Sequence, residues 1–167
     1  MKTIIGIGLG LIGGSMLLGL KKHYPRASFL GIDNKASHLD QAIKLGIISA
    51  EAHPEDLKDA DVIIVSVPVD VAPEVISDVL GVIGNHTLVF DTGSTKEDLC
   101  KALEAHPKRH QFLAAHPIAG TEISGPGAAF ADLFEHKTMI VCEIEKTDTK
   151  LQNLALECFS KLNMKLR

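Results

Sequence analysis

The chain's 167 residues are enough for one compact domain with its own core. Its composition, 46% hydrophobic and 23% charged with a net charge of −4, is that of an ordinary globular protein. No basic stripe meets nucleic acid, one Tyr, six Phe and no Trp leave little for base stacking, and Cys100, Cys142 and Cys158 form no CxxC, which argues against a disulfide framework or zinc site and for reduced thiols in a cytoplasm.

Residues 4–20, IIGIGLGLIGGSMLLGL, carry no charge and follow MKT. A signal-peptide core or short membrane helix shares this look, and Gly6, Gly10 and Gly14 match the small-residue spacing of membrane helix pairs. The run is shorter than the ~20 residues a span needs, and Lys21, Lys22 and His23 follow it instead of a small-residue cleavage site. It reads better in two pieces. KTIIGIG is a short strand, and LIGGSMLLGLKKH is a helix with Leu11, Ser15, Leu18 and Lys22 on one side and a cationic end. ASFLGID is the next strand, ending at Asp33. KASHLDQAIKLG is a helix stopped by Gly46. A short helix follows His53. ADVIIVSVP is a continuous apolar strand of the kind buried on both faces, and DVAPEVISDVLGVI is a helix with Pro73 in its first turn. HTLVFDTGS is a strand entering a polar loop, TKEDLCKALEA a helix, and QFLAAHP another strand. PGAAFADLF is predicted as a short helix, KTMIVCE as a strand, DTKLQNLALECFSKL as a helix and MKLR as the start of a last strand. This alternation predicts a doubly wound α/β domain over 1–167, with a mostly parallel sheet and helices on both faces. No linker, low-complexity segment or repeat divides it.

GLGLIG places Gly8, Gly10 and Gly13 in the G-x-G-x-x-G pattern of Rossmann-type dinucleotide sites, between a strand and a helix. Gly8 permits the tight turn, Gly10 lets a pyrophosphate reach the backbone, and Gly13 lets the helix pack against the strand. With Leu11 and Ile12 these residues open a helix whose N–H groups suit phosphate. Asp33, with Asn34 beside it, comes twenty residues after Gly13, where a carboxylate accepts from both ribose hydroxyls. It repels a 2′-phosphate, so NAD is favoured over NADP, and Lys35 is the cation that would soften the preference.

Ligands of open parallel sheets bind beyond the carboxyl ends of strands. Three loops lie there: Ser66, Val67 and Pro68; Asp91 to Lys96, with Ser94; and AAHPIAGTE, with His116. The tripeptide Ala-His-Pro occurs three times. His53 sits in a polar turn, and His106 ends a surface helix where a cation suits the last carbonyls. His86 and His110 flank strand starts, at the opposite sheet edge, and His23, His38 and His136 lie in helices or turns with no converging polar groups. His116 alone ends a strand next to a Ser-bearing loop. It is the candidate general base for taking a hydroxyl proton as hydride leaves carbon, with Ser94 placed to bond the imidazole or the substrate hydroxyl. No HxxxH or Cys/His cluster suggests a metal.

GLGLIGGS, GID, VIIVSVPV, DTGSTK and above all HPIAGTEISG resemble the prephenate dehydrogenase family, which includes arogenate dehydrogenases, over essentially the whole chain. The resemblance implies NAD- or NADP-dependent oxidative decarboxylation of prephenate to 4-hydroxyphenylpyruvate, a step of tyrosine biosynthesis. It implies that His116 acts on the ring hydroxyl, that Ser94 assists it and contacts the nicotinamide side and the substrate, and that Thr121 and Glu122 border the substrate. It further implies a second, all-helical domain that makes a homodimer and supplies cations for the substrate carboxylates. No Arg or Lys in 1–167 is assigned to that role, so that domain is expected to be absent from this chain, leaving a nucleotide-binding fragment with little activity of its own. An arogenate dehydrogenase, a non-catalytic NAD-binding module and a different dehydrogenase with the same nucleotide domain stay open.

Overall fold

The computed structural model describes residues Met1–Arg167. Its strands are β1 (Thr3–Ile7), β2 (Ser28–Ile32), β3 (Ala50–Glu51), β4 (Val62–Val65), β5 (Leu88–Asp91), β6 (Phe112–Pro117), β7 (Thr138–Cys142) and β8 (Lys165–Leu166). Its helices are α1 (Leu11–His23), α2 (Ala36–Lys44), α3 (Pro54–Asp59), α4 (Ala72–Val82), α5 (Glu97–Leu103) and α6 (Thr149–Lys161). The strands form one sheet in the order β3-β2-β1-β4-β5-β6-β7-β8. Pairing is parallel from β3 through β6, β7 runs antiparallel to β6, and β8 is parallel to β7.

Side-chain alternation divides the core between two faces. Ile4, Val62, Ile64, Phe90, Leu113 and Ala115 pack with α1, α2 and α6. Ile5, Ile63, Val65, Val89, Phe112 and Ala114 pack with α3, α4 and α5. Every residue of β4 is buried, because each face of this central strand lies under helices. The uncharged run near the start is split as its pattern predicts, into β1, a glycine turn and α1. No helix is long and apolar enough to cross a membrane. Helix α1 buries Leu11, Ser15, Met16, Leu17 and Leu20 together with three of its glycines, since it packs on the sheet, on α6 and on the segment after residue 125. At the end of α2, Gly46 N donates to Ile43 O at 3.0 Å and Ile47 N to Ala42 O at 2.9 Å, the Schellman arrangement.

Two elements differ from expectation. The predicted helix over 126–134 is a single 3-10 turn at Pro126–Ala128. Gly125 before it has φ +88°, and Phe130 N donates to Ser15 Oγ of α1 at 3.0 Å, so the helical ladder stops after one turn. Strand β3, of two exposed residues, is an addition to the predicted set.

Candidate functional site

The strand order reverses between β1 and β4, and the glycine turn sits at that reversal. Gly8 has φ +86°, and a Cβ there would lie 2.4 Å from Ser66 O, at the end of β4. Its amide donates to Ile32 O, at the end of β2, at 2.8 Å. The turn is therefore wedged between both neighbours of β1. A Cβ on Gly13 would lie 2.1 Å from Gly8 O, which no side chain can occupy. Gly10 is different: nothing lies within 4 Å of a Cβ added there. Gly10 is also the N-cap of α1, without a capping side chain and without an acid in the first turn. The amides of Leu11, Ile12 and Gly13 have no partner within the helix. An uncapped N-terminus beside an open glycine suits a phosphate. Gly13→Ala should destabilise the domain by about 1–3 kcal/mol and abolish dinucleotide binding, read by thermal unfolding and calorimetry; unaltered binding would remove Gly13 from the site.

Asp33 follows β2 with its side chain 6% exposed. Its Oδ2 accepts from Leu9 N and its Oδ1 from Lys35 N, both at 2.9 Å. The carboxylate thus ties the glycine turn to the start of α2, while Asn34 and Lys35 are exposed. His38 corrects the expectation of a histidine with no polar company: its Nδ1 lies 3.3 Å from Asp33 Oδ2.

Beyond β4, Ser66 and Val67 are half-buried and Pro68 is exposed. Pro68 O accepts from Val71 N at 3.2 Å and Ala72 N at 3.1 Å, which starts α4. Ser66 Oγ accepts from Thr92 Oγ1 at 2.9 Å. The next strand end is built on Asp91, whose side chain is 1% exposed. Asp91 Oδ1 accepts from Ala115 N at 3.1 Å. Its Oδ2 accepts from Gly93 N at 2.9 Å and from Lys96 Nζ. Burial pushes this carboxyl above its ordinary value, although Lys96 and both amides pull the other way. One buried acid therefore ties the Ser94 loop, the start of α5 and the residue before His116. The motif DTGSTK showed where this loop lies; the apolar LVF run before Asp91 was the signal that its carboxylate would be buried.

His116 alternates with Phe112 and Ala114, so it faces the α5 side of the sheet, as the Ser94 loop does. It is half-buried, and its Nδ1 lies 3.4 Å from Thr92 O. A carbonyl only accepts, so Nδ1 carries the hydrogen of this contact, and in the neutral ring the lone pair is then on Nε2. That tautomer can act as a base. Ser94 is exposed and makes no hydrogen bond with the imidazole. Thr121 and Glu122 are exposed on the loop after β6, where Thr121 Oγ1 accepts from Ile123 N at 3.3 Å. The other two copies of Ala-His-Pro are local fittings. His53 is the N-cap of α3 through its backbone: its amide donates to Asp56 Oδ2 at 2.7 Å and its carbonyl accepts from Asp56 N at 3.0 Å. His106 lies past the end of α5, where its Nδ1 accepts from Lys108 N at 3.1 Å, so its ring is engaged in its own turn rather than with the last carbonyls of the helix.

The sequence profile described as "Prephenate dehydrogenase, nucleotide-binding domain" matches residues 17–167. The chain belongs to the prephenate dehydrogenase family. This match starts after the glycine turn. Prephenate dehydrogenase of Bacillus subtilis is 37% identical over 150 residues, 87% of this chain and 40% of that protein. Cyclohexadienyl dehydrogenase of Zymomonas mobilis is 32% identical, over 84% of this chain and 48% of that protein. The chain thus spans less than half the length of these curated relatives. Prephenate dehydrogenase from Aquifex aeolicus in complex with hydroxyphenyl propionate and NAD+ superposes with a TM-score of 0.90 at 28% identity, covering 100% of this chain and 59% of that one. Synechocystis arogenate dehydrogenase, at 21% identity and a TM-score of 0.88, shares the fold.

Proposed function

We propose that the chain is the dinucleotide-binding part of a prephenate dehydrogenase of tyrosine biosynthesis, with NAD as its cofactor and His116 as its base. The observation that carries this reading is the His116–Thr92 contact, which leaves the Nε2 lone pair of the neutral ring on a strand end at the same carboxyl edge of the sheet as the glycine turn. NAD fits the residues present. The open face of Gly10 and the amides of Leu11, Ile12 and Gly13 would hold the pyrophosphate, Asp33 the adenosine ribose, and Ser66, Val67 and Pro68 the nicotinamide side. The nicotinamide supplies the hydride acceptor when bound. His116 Nε2 takes the proton of the substrate hydroxyl, and Thr92 O steadies the imidazolium so formed. Ser94, free of other partners, is available to the substrate hydroxyl, and Thr121 and Glu122 border the substrate from the next loop.

Family membership supports a second, helical domain, supplying cations for the substrate carboxylates and the homodimer contact. Three free cysteines support a reducing cytoplasm. The test is calorimetric titration with NAD and NADP, followed by prephenate-dependent NAD reduction with the full-length protein, second domain included. NAD should bind more tightly, and prephenate should be turned over. The reverse nucleotide order would defeat the role given to Asp33; NAD binding without turnover of any cyclohexadienyl acid would leave a binding module. Arogenate is the second substrate to assay, because the Zymomonas relative is named for the cyclohexadienyl ring rather than for prephenate.

A further inference from the structure

We infer that His38 is a specificity-determining residue of the nucleotide site, because its imidazole fills an acceptor position on Asp33 that a ribose diol needs. The inference rests on the nucleotide reading above. A carboxylate offers about four lone-pair positions, two on each oxygen. Oδ1 of Asp33 spends one on Lys35 N at 2.9 Å. Oδ2 spends one on Leu9 N at 2.9 Å, and the His38 ring takes the other at 3.3 Å. A carboxylate can only accept, so Nδ1 of His38 carries the hydrogen. With the ring in place, Asp33 has one acceptor position left, on Oδ1, and a ribose with free 2′ and 3′ hydroxyls asks for two.

The two nucleotides therefore meet different sites. NAD gains its second ribose hydrogen bond only by displacing His38. The contact is long and the side chain is 26% exposed, so displacement is feasible on a surface helix turn. NADP has a phosphate in place of the 2′ hydroxyl, and one acceptor suffices for its 3′ hydroxyl. Its phosphate would meet the exposed Lys35 and could take over the single Nδ1–H that His38 otherwise gives to Asp33. His38 thus works against the preference that Asp33 imposes, and it narrows the gap between the two nucleotides.

The experiment is calorimetry of the full chain and its His38→Ala and His38→Gln variants with NAD and with NADP. His38→Ala should tighten NAD about three- to tenfold and weaken NADP by a similar factor, on the scale of one modest hydrogen bond each. His38→Gln, which keeps a donor, should fall between. Opposite movement of the two affinities is the decisive sign, since a merely structural role would weaken both. Equal changes for both nucleotides, or none, would overturn the inference while leaving the nucleotide reading intact. Failure of the unsubstituted protein to bind either nucleotide would instead overturn that reading, and this inference with it.

Discussion

In the full-length protein, second domain included, replacing His116 by asparagine should lower the turnover of prephenate about 10²–10⁴-fold and leave NAD affinity within about a factor of two. Asparagine keeps a donor for Thr92 O but offers no base at the position of Nε2. His116 lies one residue beyond Ala115, whose amide is held by Asp91, so the strand end should keep its place in the variant. NAD titration and steady-state assays on one preparation separate the two effects. A large loss of NAD affinity would make His116 a cofactor or structural residue. His53→Ala and His106→Ala should change neither quantity, because one caps α3 and the other accepts from its neighbour's amide. A catalytic defect in either would mean that another copy of the tripeptide bears the base.

The second large effect is expected at Lys96→Met. Lys96 is 12% exposed and its partner Asp91 1% exposed. Removing the ammonium leaves a carboxylate inside the domain with only two amides for company. Breaking one side of such a buried pair costs about 3–5 kcal/mol, and the residual exposure of Lys96 points to the lower end. For a domain of this size the midpoint of thermal unfolding should fall by about 6–12 °C. The pH dependence has a definite sign. Burial already raises the folded-state Asp91 carboxyl above its ordinary value, and losing Lys96 raises it further. A group raised in the folded state contributes stability at low pH and loses it as pH rises through the raised value. The deficit of Lys96→Met should therefore shrink on acidification, and adding Asp91→Asn should recover part of it at neutral pH. A variant as stable as the parent at pH 7, by thermal melts, would show that the pair is not what holds this loop.

Much of the frame could be read from residue order, because it rests on local rules. Apolar spacing and a cationic end delimit α1 over the residues observed, and G-x-G-x-x-G with Asp33 in register places the turn where Gly8 meets Ser66. What escaped depends on how elements are set against one another. Strand β3 is two exposed residues held by the edge of β2, so no apolar alternation announces it. The 126–134 segment has helix-forming alanines, but Gly125, Pro126 and Gly127 break its start, and Ser15 of α1 takes the amide of Phe130. The His38–Asp33 contact depends on how α2 is rotated about its axis after a three-residue turn, which spacing alone does not define. Neighbouring strand ends predict that Ser94 and His116 can meet, with Ser94 bonding either the imidazole or the substrate hydroxyl. They share a face of the sheet, but the imidazole is oriented by Thr92 O, a backbone group invisible in a pattern of side chains.

The reversed strand β7 has a consequence for divergence. Pro117 pairs with Met139 and His116 with Ile140, and Ile118 N donates to Thr138 O at 2.8 Å. The chain thus leaves the sheet beside His116 and re-enters it at the same place, so residues 119–137 form an excursion closed at its neck. Lengthening such an excursion costs little, since closure entropy grows only slowly with length. Thr121 and Glu122 ride on it, whereas His116 stays in the ladder below. On the function proposed above, a lineage could recast the substrate-facing rim by insertion or exchange there without retuning the proton acceptor, and a transplanted rim should carry its selectivity with it.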